Sequence, residues 1–98
     1  MIVRVVHLTI LPSKINAFVD LYTKSMAQIR STPGCLDLSL LRDVSDPNRV
    51  TTLSKWKDLD ALEAYRASNF FRSTWTSAKT MFADEAEAYS YTVISTTN

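Results

Sequence analysis

The sequence predicts an α+β fold built in the order strand, helix, strand, strand, helix, strand. Three observations predict it. Four segments rich in Val, Ile, Leu, Thr and Tyr alternate in character with a period of two. Two longer segments space their apolar residues by three and four. The connectors between them are short and hold the Pro, Gly, Asn and Asp of turns.

The first strand is predicted over residues 2–11. Period two puts Ile2, Arg4, Val6, Leu8 and Ile10 on one face and Val3, Val5, His7 and Thr9 on the other. Both faces are largely apolar, so neither is expected to be fully wet. Pro12 and Ser13 close the strand, and Ser13 is the expected cap of a helix over residues 14–30. Ile15, Phe18, Val19, Tyr22, Met26 and Ile29 form its buried stripe. Pro33-Gly34 ends it.

Residues 35–42 read as the second strand, with Leu36, Leu38 and Leu40 sharing a face opposite Cys35, Asp37, Ser39 and Leu41. The connector DVSDPN leads to a third strand over 49–57, which sets Val50, Thr52, Ser54 and Trp56 on one side. The short connector favours an antiparallel pair. Asp58 or Asp60 caps the next helix, which carries Leu59, Leu62 and Tyr65. Ser68-Asn69 interrupts it, and a further helical segment over 71–82 aligns Phe71, Trp75, Ala78 and Phe82. The last strand is predicted over 86–94, with Tyr89 and Tyr91 on one face.

This order is the ferredoxin-like arrangement: an antiparallel sheet with helices on one face. The other face still carries Val, Leu, Tyr and Trp side chains, which a lone chain would leave as an apolar patch. A homodimer is the expected remedy, because a two-fold axis matches like surfaces. At 98 residues the chain is expected to form one domain, spanning 1–98.

Composition excludes several functions. The net charge is +1 and no basic patch or acidic tail stands out, so no nucleic-acid partner is expected. No apolar run approaches a membrane span, and no cleavable leader is expected in the N-terminal residues. Cys35 is the one cysteine, so no intrachain disulfide forms, and a cytoplasmic protein is expected. Gly34 is the one glycine, which excludes a P-loop and the Gly-rich dinucleotide fingerprint. His7, Cys35 and the acids show no metal-ligand spacing. No cofactor and no metal are therefore expected.

Among candidate site residues, Trp56 ranks first. An indole can stack on a flat substrate and donate one hydrogen bond, and it can equally be a core or interface residue. His7, the one histidine, fits a base near neutral pH or a structural hydrogen bond. Tyr65 and Tyr22 lie on helix stripes and can turn a hydroxyl toward a buried ligand or sit in the core. Phe71, Trp75 and Phe82 fit a pocket wall, or plain helix packing. Arg72 fits either a surface charge or a group that meets an anionic oxygen at a pocket mouth.

The chain resembles the antibiotic biosynthesis monooxygenase-like family of the dimeric alpha+beta barrel superfamily over nearly its whole length. The resemblance lies in the opening strand, the Pro33-Gly34-Cys35-Leu36 turn, LLRDVSDPNR from Leu40 to Arg49, and Trp56 followed by Leu59, Ala61, Leu62, Tyr65 and Ser68. It implies a homodimer whose sheets face each other, with a pocket between sheet and helices in each subunit. It also implies a small aromatic molecule as partner. The activity implied is a cofactor-independent monooxygenase that oxidises a phenolic, quinol or polycyclic aromatic substrate with molecular oxygen.

Many family sequences place a His in the helix after the tryptophan, where this chain reads Ala64-Tyr65-Arg66. The haem-degrading branch uses a His on the later helix, where Trp75 or its neighbours stand, and an Asn on the first strand, where His7 is the nearest polar candidate. A haem site would lack its axial ligand. Beside the strand tryptophan, where oxygenase members carry polar groups, this chain has Thr52 and Ser54. The alternative function is a non-catalytic dimeric ligand-binding or stress-associated domain. A non-redox isomerisation or cyclisation of a polyketide-like substrate is a third.

Overall fold

The structure is a computed structural model and describes residues 1–97. Its elements are β1 (Ile2–Thr9), a 3₁₀ turn (Pro12–Lys14), α1 (Ile15–Arg30), β2 (Cys35–Arg42), β3 (Arg49–Trp56), α2 (Leu59–Arg66), α3 (Asn69–Lys79) and β4 (Glu87–Thr92). The four strands form one sheet in the order β2-β3-β1-β4, with every neighbouring pair antiparallel. This is the predicted α+β arrangement. β1 and β2 run parallel but apart, because β3 lies between them, and α1 is the crossover that joins them.

In the β1–β3 register, Ile2 faces Trp56, Arg4 faces Ser54, Val6 faces Thr52 and Leu8 faces Val50. Residues directly opposite in a pleated pair share a face. The even-numbered residues of both strands therefore lie on the helix-covered side. Leu8, Ile10, Phe18, Val50 and Ala78 make one buried cluster there. Cys35, Trp56 and Leu62 make a second, under α2.

The other face of the sheet bears Val3, Val5, His7, Leu53 and the two tyrosines of β4. Among the described residues of the single chain, no helix covers it. Tyr89 and Tyr91 remain 45% and 54% exposed, and Leu41 of β2 45%.

Several local features depart from the expectations. Ser13 does not cap α1: it sits inside the 3₁₀ turn, and α1 begins without a side-chain cap. Pro12 supplies the fixed φ that starts the turn early. Cys35 lies on the inner face with Leu38 and Leu40, and Leu36 is 46% exposed. A β-bulge between Cys35 and Asp37 causes this, because the extra residue reverses the alternation on one side of it. The buried stripe of α1 also includes Leu21 and Ser25, and the Ser25 hydroxyl donates to the Leu21 carbonyl at 2.8 Å.

Asp58 is the cap of α2 and accepts from Ala61 N at 2.8 Å. Leu59 is half exposed rather than part of the stripe. The last helix begins at Asn69, before the predicted start, because the Ser68 hydroxyl accepts from Phe71 N at 3.1 Å and caps it.

Gly34 holds the α1–β2 turn at φ +84°. A Cβ there would collide with Ala61 Cβ, while the Gly34 carbonyl accepts from Lys57 N at 2.8 Å. Gly34→Ala therefore meets both backbone strain and a clash with α2. It is expected to lower the unfolding free energy by about 1–3 kcal/mol, read as a shift of the urea midpoint.

Candidate functional site: a cavity between the sheet and the helices

Trp56 closes β3 and is fully buried. Its Nε1 donates to Ser54 Oγ at 2.9 Å, two residues back on the same face. The indole's one donor is thus used within the protein. Its ring stacks on Tyr65 of α2, with centroids 5.0 Å apart and planes 25° apart. Tyr65 meets Phe71 edge-on at 5.1 Å, Phe71 stacks on Trp75 at 5.8 Å, and Trp75 meets Phe82 edge-on at 5.4 Å. A run of rings thus crosses from the end of β3 along α2 and α3. Offset and edge contacts of this kind fix ring orientation as well as adding burial.

Between these rings and the sheet lies a cavity of about 270 Å³. Val6, Leu8, Leu38, Thr52, Ser54 and Trp56 give its floor, and Phe18 and Tyr22 of α1 line another side. Tyr65, Arg66, Phe71 and Trp75 enclose it from α2 and α3. The cavity is apolar with a few fixed polar groups, as small-molecule sites are.

Burial pushes the Tyr22 hydroxyl well above its ordinary pKa, and burial pushes that of Tyr65 up to about 12. Both stay protonated across the physiological range. Among the described residues neither hydroxyl has a protein hydrogen-bond partner, and neither is sealed off without one. Each is a donor available to a ligand oxygen.

Arg4 also lines the cavity, from the middle of β1. Its Nη1 donates to Ser90 Oγ of β4 at 2.9 Å. Burial, and then the nearby Arg66, lower its pKa, against a smaller opposing effect of Glu63.

The structure brings Trp56, Tyr65, Tyr22, Phe71 and Trp75 around one cavity. It places the other sequence candidates elsewhere. His7 points to the opposite face of the sheet, where its Nδ1 shares a 2.9 Å hydrogen bond with Thr51 Oγ1 and its ring lies 6.1 Å from that of Tyr89. His7 and Trp56 therefore share no cavity. Phe82 packs on the far side of Trp75 and borders a shallow outer groove with Lys79 and Asp84. Arg72 is exposed on α3 and lines neither space.

Sequence reasoning overlooked Arg4. The signal was present: a lone charge in the even-numbered, core-facing column of an apolar strand. Burial pushes the Cys35 thiol up, so it is a packing residue rather than a ready thiolate. Among the described residues, no three His, Cys, Asp or Glu side chains converge as metal ligands would. No helix among them is long and apolar enough to cross a membrane.

Comparison with known proteins gives the fold its relatives. A conserved protein from Methanosarcina mazei Go1 is 24% identical, with a TM-score of 0.87 over 93% of this chain and 91% of that one. SnoaB, a cofactor-independent oxygenase from Streptomyces nogalater solved as a mutant, is 21% identical, with a TM-score of 0.87 over 97% of this chain and 94% of that one. A structure described as an antibiotic biosynthesis monooxygenase is 21% identical, with a TM-score of 0.89 over 97% of this chain and all of the other. At these identities the likeness is one of fold. No curated protein matches the chain by sequence. The sequence model of one family, described as antibiotic biosynthesis monooxygenase, matches residues 1–76, from the first strand through Trp56 and into α3. That stretch supplies most of the cavity's floor and its aromatic wall, and the chain belongs to the antibiotic biosynthesis monooxygenase family.

Proposed function

We propose that the chain is a cofactor-independent monooxygenase that oxidises an electron-rich phenol, quinol or polycyclic aromatic with molecular oxygen. One observation carries this reading: a cavity walled by Trp56, Tyr65, Phe71 and Trp75 and furnished with protonated hydroxyls and guanidinium groups. Family membership and the fold shared with a cofactor-independent oxygenase support it.

The chemistry asks for stabilisation of an anion. A substrate such as an anthrone loses a C–H proton to give a delocalised carbanion. That anion passes one electron to oxygen, and the two radicals recombine as a C–O bond. The resulting peroxide anion takes up the first proton from solvent. Loss of the second C–H proton then breaks the O–O bond and leaves a quinone and hydroxide, which that proton converts to water. One oxygen atom enters the product and the other leaves as water, so no external reductant is needed.

Among the described residues, no carboxylate or imidazole lines the cavity. The residues therefore act by lowering the substrate's pKa and holding the resulting oxyanion. Tyr22 and Tyr65 donate to its oxygen, and half-buried Arg4 and exposed Arg66 supply positive charge beside it.

Oxygen uptake with a panel of anthrones and quinols, without added flavin, haem or metal, tests this reading. The expected result is one oxygen consumed per quinone formed. Tyr65→Phe is expected to lower kcat/KM at least about tenfold, as loss of one oxyanion donor does. The pH profile should rise with ionisation of the substrate and show no second ionisation from Tyr65 below pH 11, since its hydroxyl stays neutral there.

The missing cavity base also fits a second reading, a ligand-binding or stress-associated domain without turnover. Saturable binding with no oxygen uptake on any of the panel would select it. The proposed assembly is a homodimer joined through the uncovered sheet face. A single buried thiol is compatible with the proposed cytoplasmic setting.

A further inference from the structure

On the inner face of the sheet, residue rows cross all four strands, with Cys35, Leu38 and Leu40 of β2 beside Trp56, Ser54 and Thr52. Ile2 lies between Trp56 and Thr92, and Val6 lies between Thr52 and Ala88. Between those rows, Arg4 lies between Ser54 and Ser90. A cation flanked by two hydroxyls thus interrupts a column of Ile2, Val6, Leu8 and Ile10. β1 is an inner strand, so this arginine lines the cavity from between two strands rather than from a sheet edge.

Folding gains little from a charge in that place. Arg4 is half-buried and its bond to Ser90 is open to solvent, so part of its hydration is lost with no anion to replace it. Among the described residues, no carboxylate stands within 4.0 Å of Arg4. Its protein partner is the Ser90 hydroxyl, and a guanidinium has five N–H donors. Arg66 projects from the end of α2 to the same cavity. Glu63, the acid that favours the charge on Arg4, already pairs with Arg66 at 3.3 Å. Two guanidinium groups therefore share one acid at one end of an otherwise apolar space. Ser54 completes the arrangement: its oxygen accepts from Trp56 Nε1, which leaves its own O–H to donate.

We infer that the cavity takes a ligand with a flat apolar body and an anionic head, a carboxylate or similar oxyanion, gripped by Arg4 and Arg66 with Ser54 beside them. The body lies against the aromatic wall, and the head supplies the negative charge that the polar row lacks. This rests on the proposed use of the cavity for an aromatic small molecule, and it needs no redox step.

A matched pair of probes tests it. 2-Naphthoate and 2-naphthamide share one ring system and differ in charge, and titration calorimetry gives both dissociation constants. Naphthoate is expected to bind at least about tenfold more tightly, the scale of one charge-assisted hydrogen bond. Arg4→Gln should reduce that preference to about twofold or less while leaving naphthamide within about twofold of its original affinity. Arg4→Met, which keeps the apolar stem, should do the same, and unchanged naphthamide binding certifies the fold of each variant. Arg66→Gln should remove part of the preference, and added salt should weaken naphthoate alone.

Equal binding of the two probes overturns the inference. So does binding by neither, or an Arg4→Gln variant that keeps the full preference. A protein that prefers naphthoate yet consumes no oxygen would refute the monooxygenase reading and leave this one standing.

Discussion

Trp56→Ala is expected to lower the unfolding free energy by about 3–5 kcal/mol, the range for removing a large buried aromatic. The side chain is fully buried, so nearly all of its apolar area counts. Its loss removes the stack on Tyr65 and deprives Ser54 Oγ of its donor. Small domains hold only about 5–15 kcal/mol in total, so much of the stability would go. For a domain near 100 residues, a loss of that size lowers the melting temperature by well over about 10 °C. Urea unfolding followed by far-UV circular dichroism reads it directly.

Trp56→Phe separates the two roles of the residue. Phenylalanine keeps a ring against Tyr65 but cannot donate to Ser54. Its cost should be about 1–2 kcal/mol, because a small void and one unmade hydrogen bond remain. A Trp56→Ala loss under about 1 kcal/mol would show that the second cluster repacks without the indole, and that the cavity wall does not depend on it.

Much of this architecture was legible in the sequence. Alternation alone set Val50, Ser54 and Trp56 on one side of the third strand, and they lie there together. Helical spacing collected Phe18 and Tyr22, and later Tyr65, Phe71 and Trp75, onto the sides that meet the sheet. What stayed hidden depends on facts outside any local pattern. The bulge at Cys35–Asp37 adds one residue whose presence no periodicity records, and it moves Cys35 to the inside.

The relation between His7 and Trp56 turns on inter-strand register. Ile2 pairs with Trp56, so residues of like parity share a face, and an odd-numbered histidine falls opposite an even-numbered tryptophan. Within each strand the faces could be read, but only the pairing says which face of one strand continues which face of the next. Arg4 is the converse case. Its column was visible, and its meaning appeared only when Ser54 and Ser90 came to flank it.

Leu53→Glu is expected to convert the proposed dimer of the 11.1 kDa chain to monomers at low micromolar concentration, seen as a clean change in sedimentation. Leu53 lies on the uncovered face of an inner strand, opposite Val5 on one side and Ser39 on the other. Val5 in turn faces Tyr89 on β4, which carries the apolar surface across the sheet. A two-fold interface uses the same patch twice, so one substitution buries two carboxylates. Each unpaired buried charge costs several kcal/mol, enough together to weaken association by a factor of about a thousand or more. On a face open to water, the same glutamate would change stability by only about 0.5 kcal/mol. The cavity lies on the other side of the sheet, so 2-naphthamide affinity should persist in the monomer. A wild-type chain that sediments as a monomer would refute the homodimer and leave the exposed tyrosines of β4 without a partner.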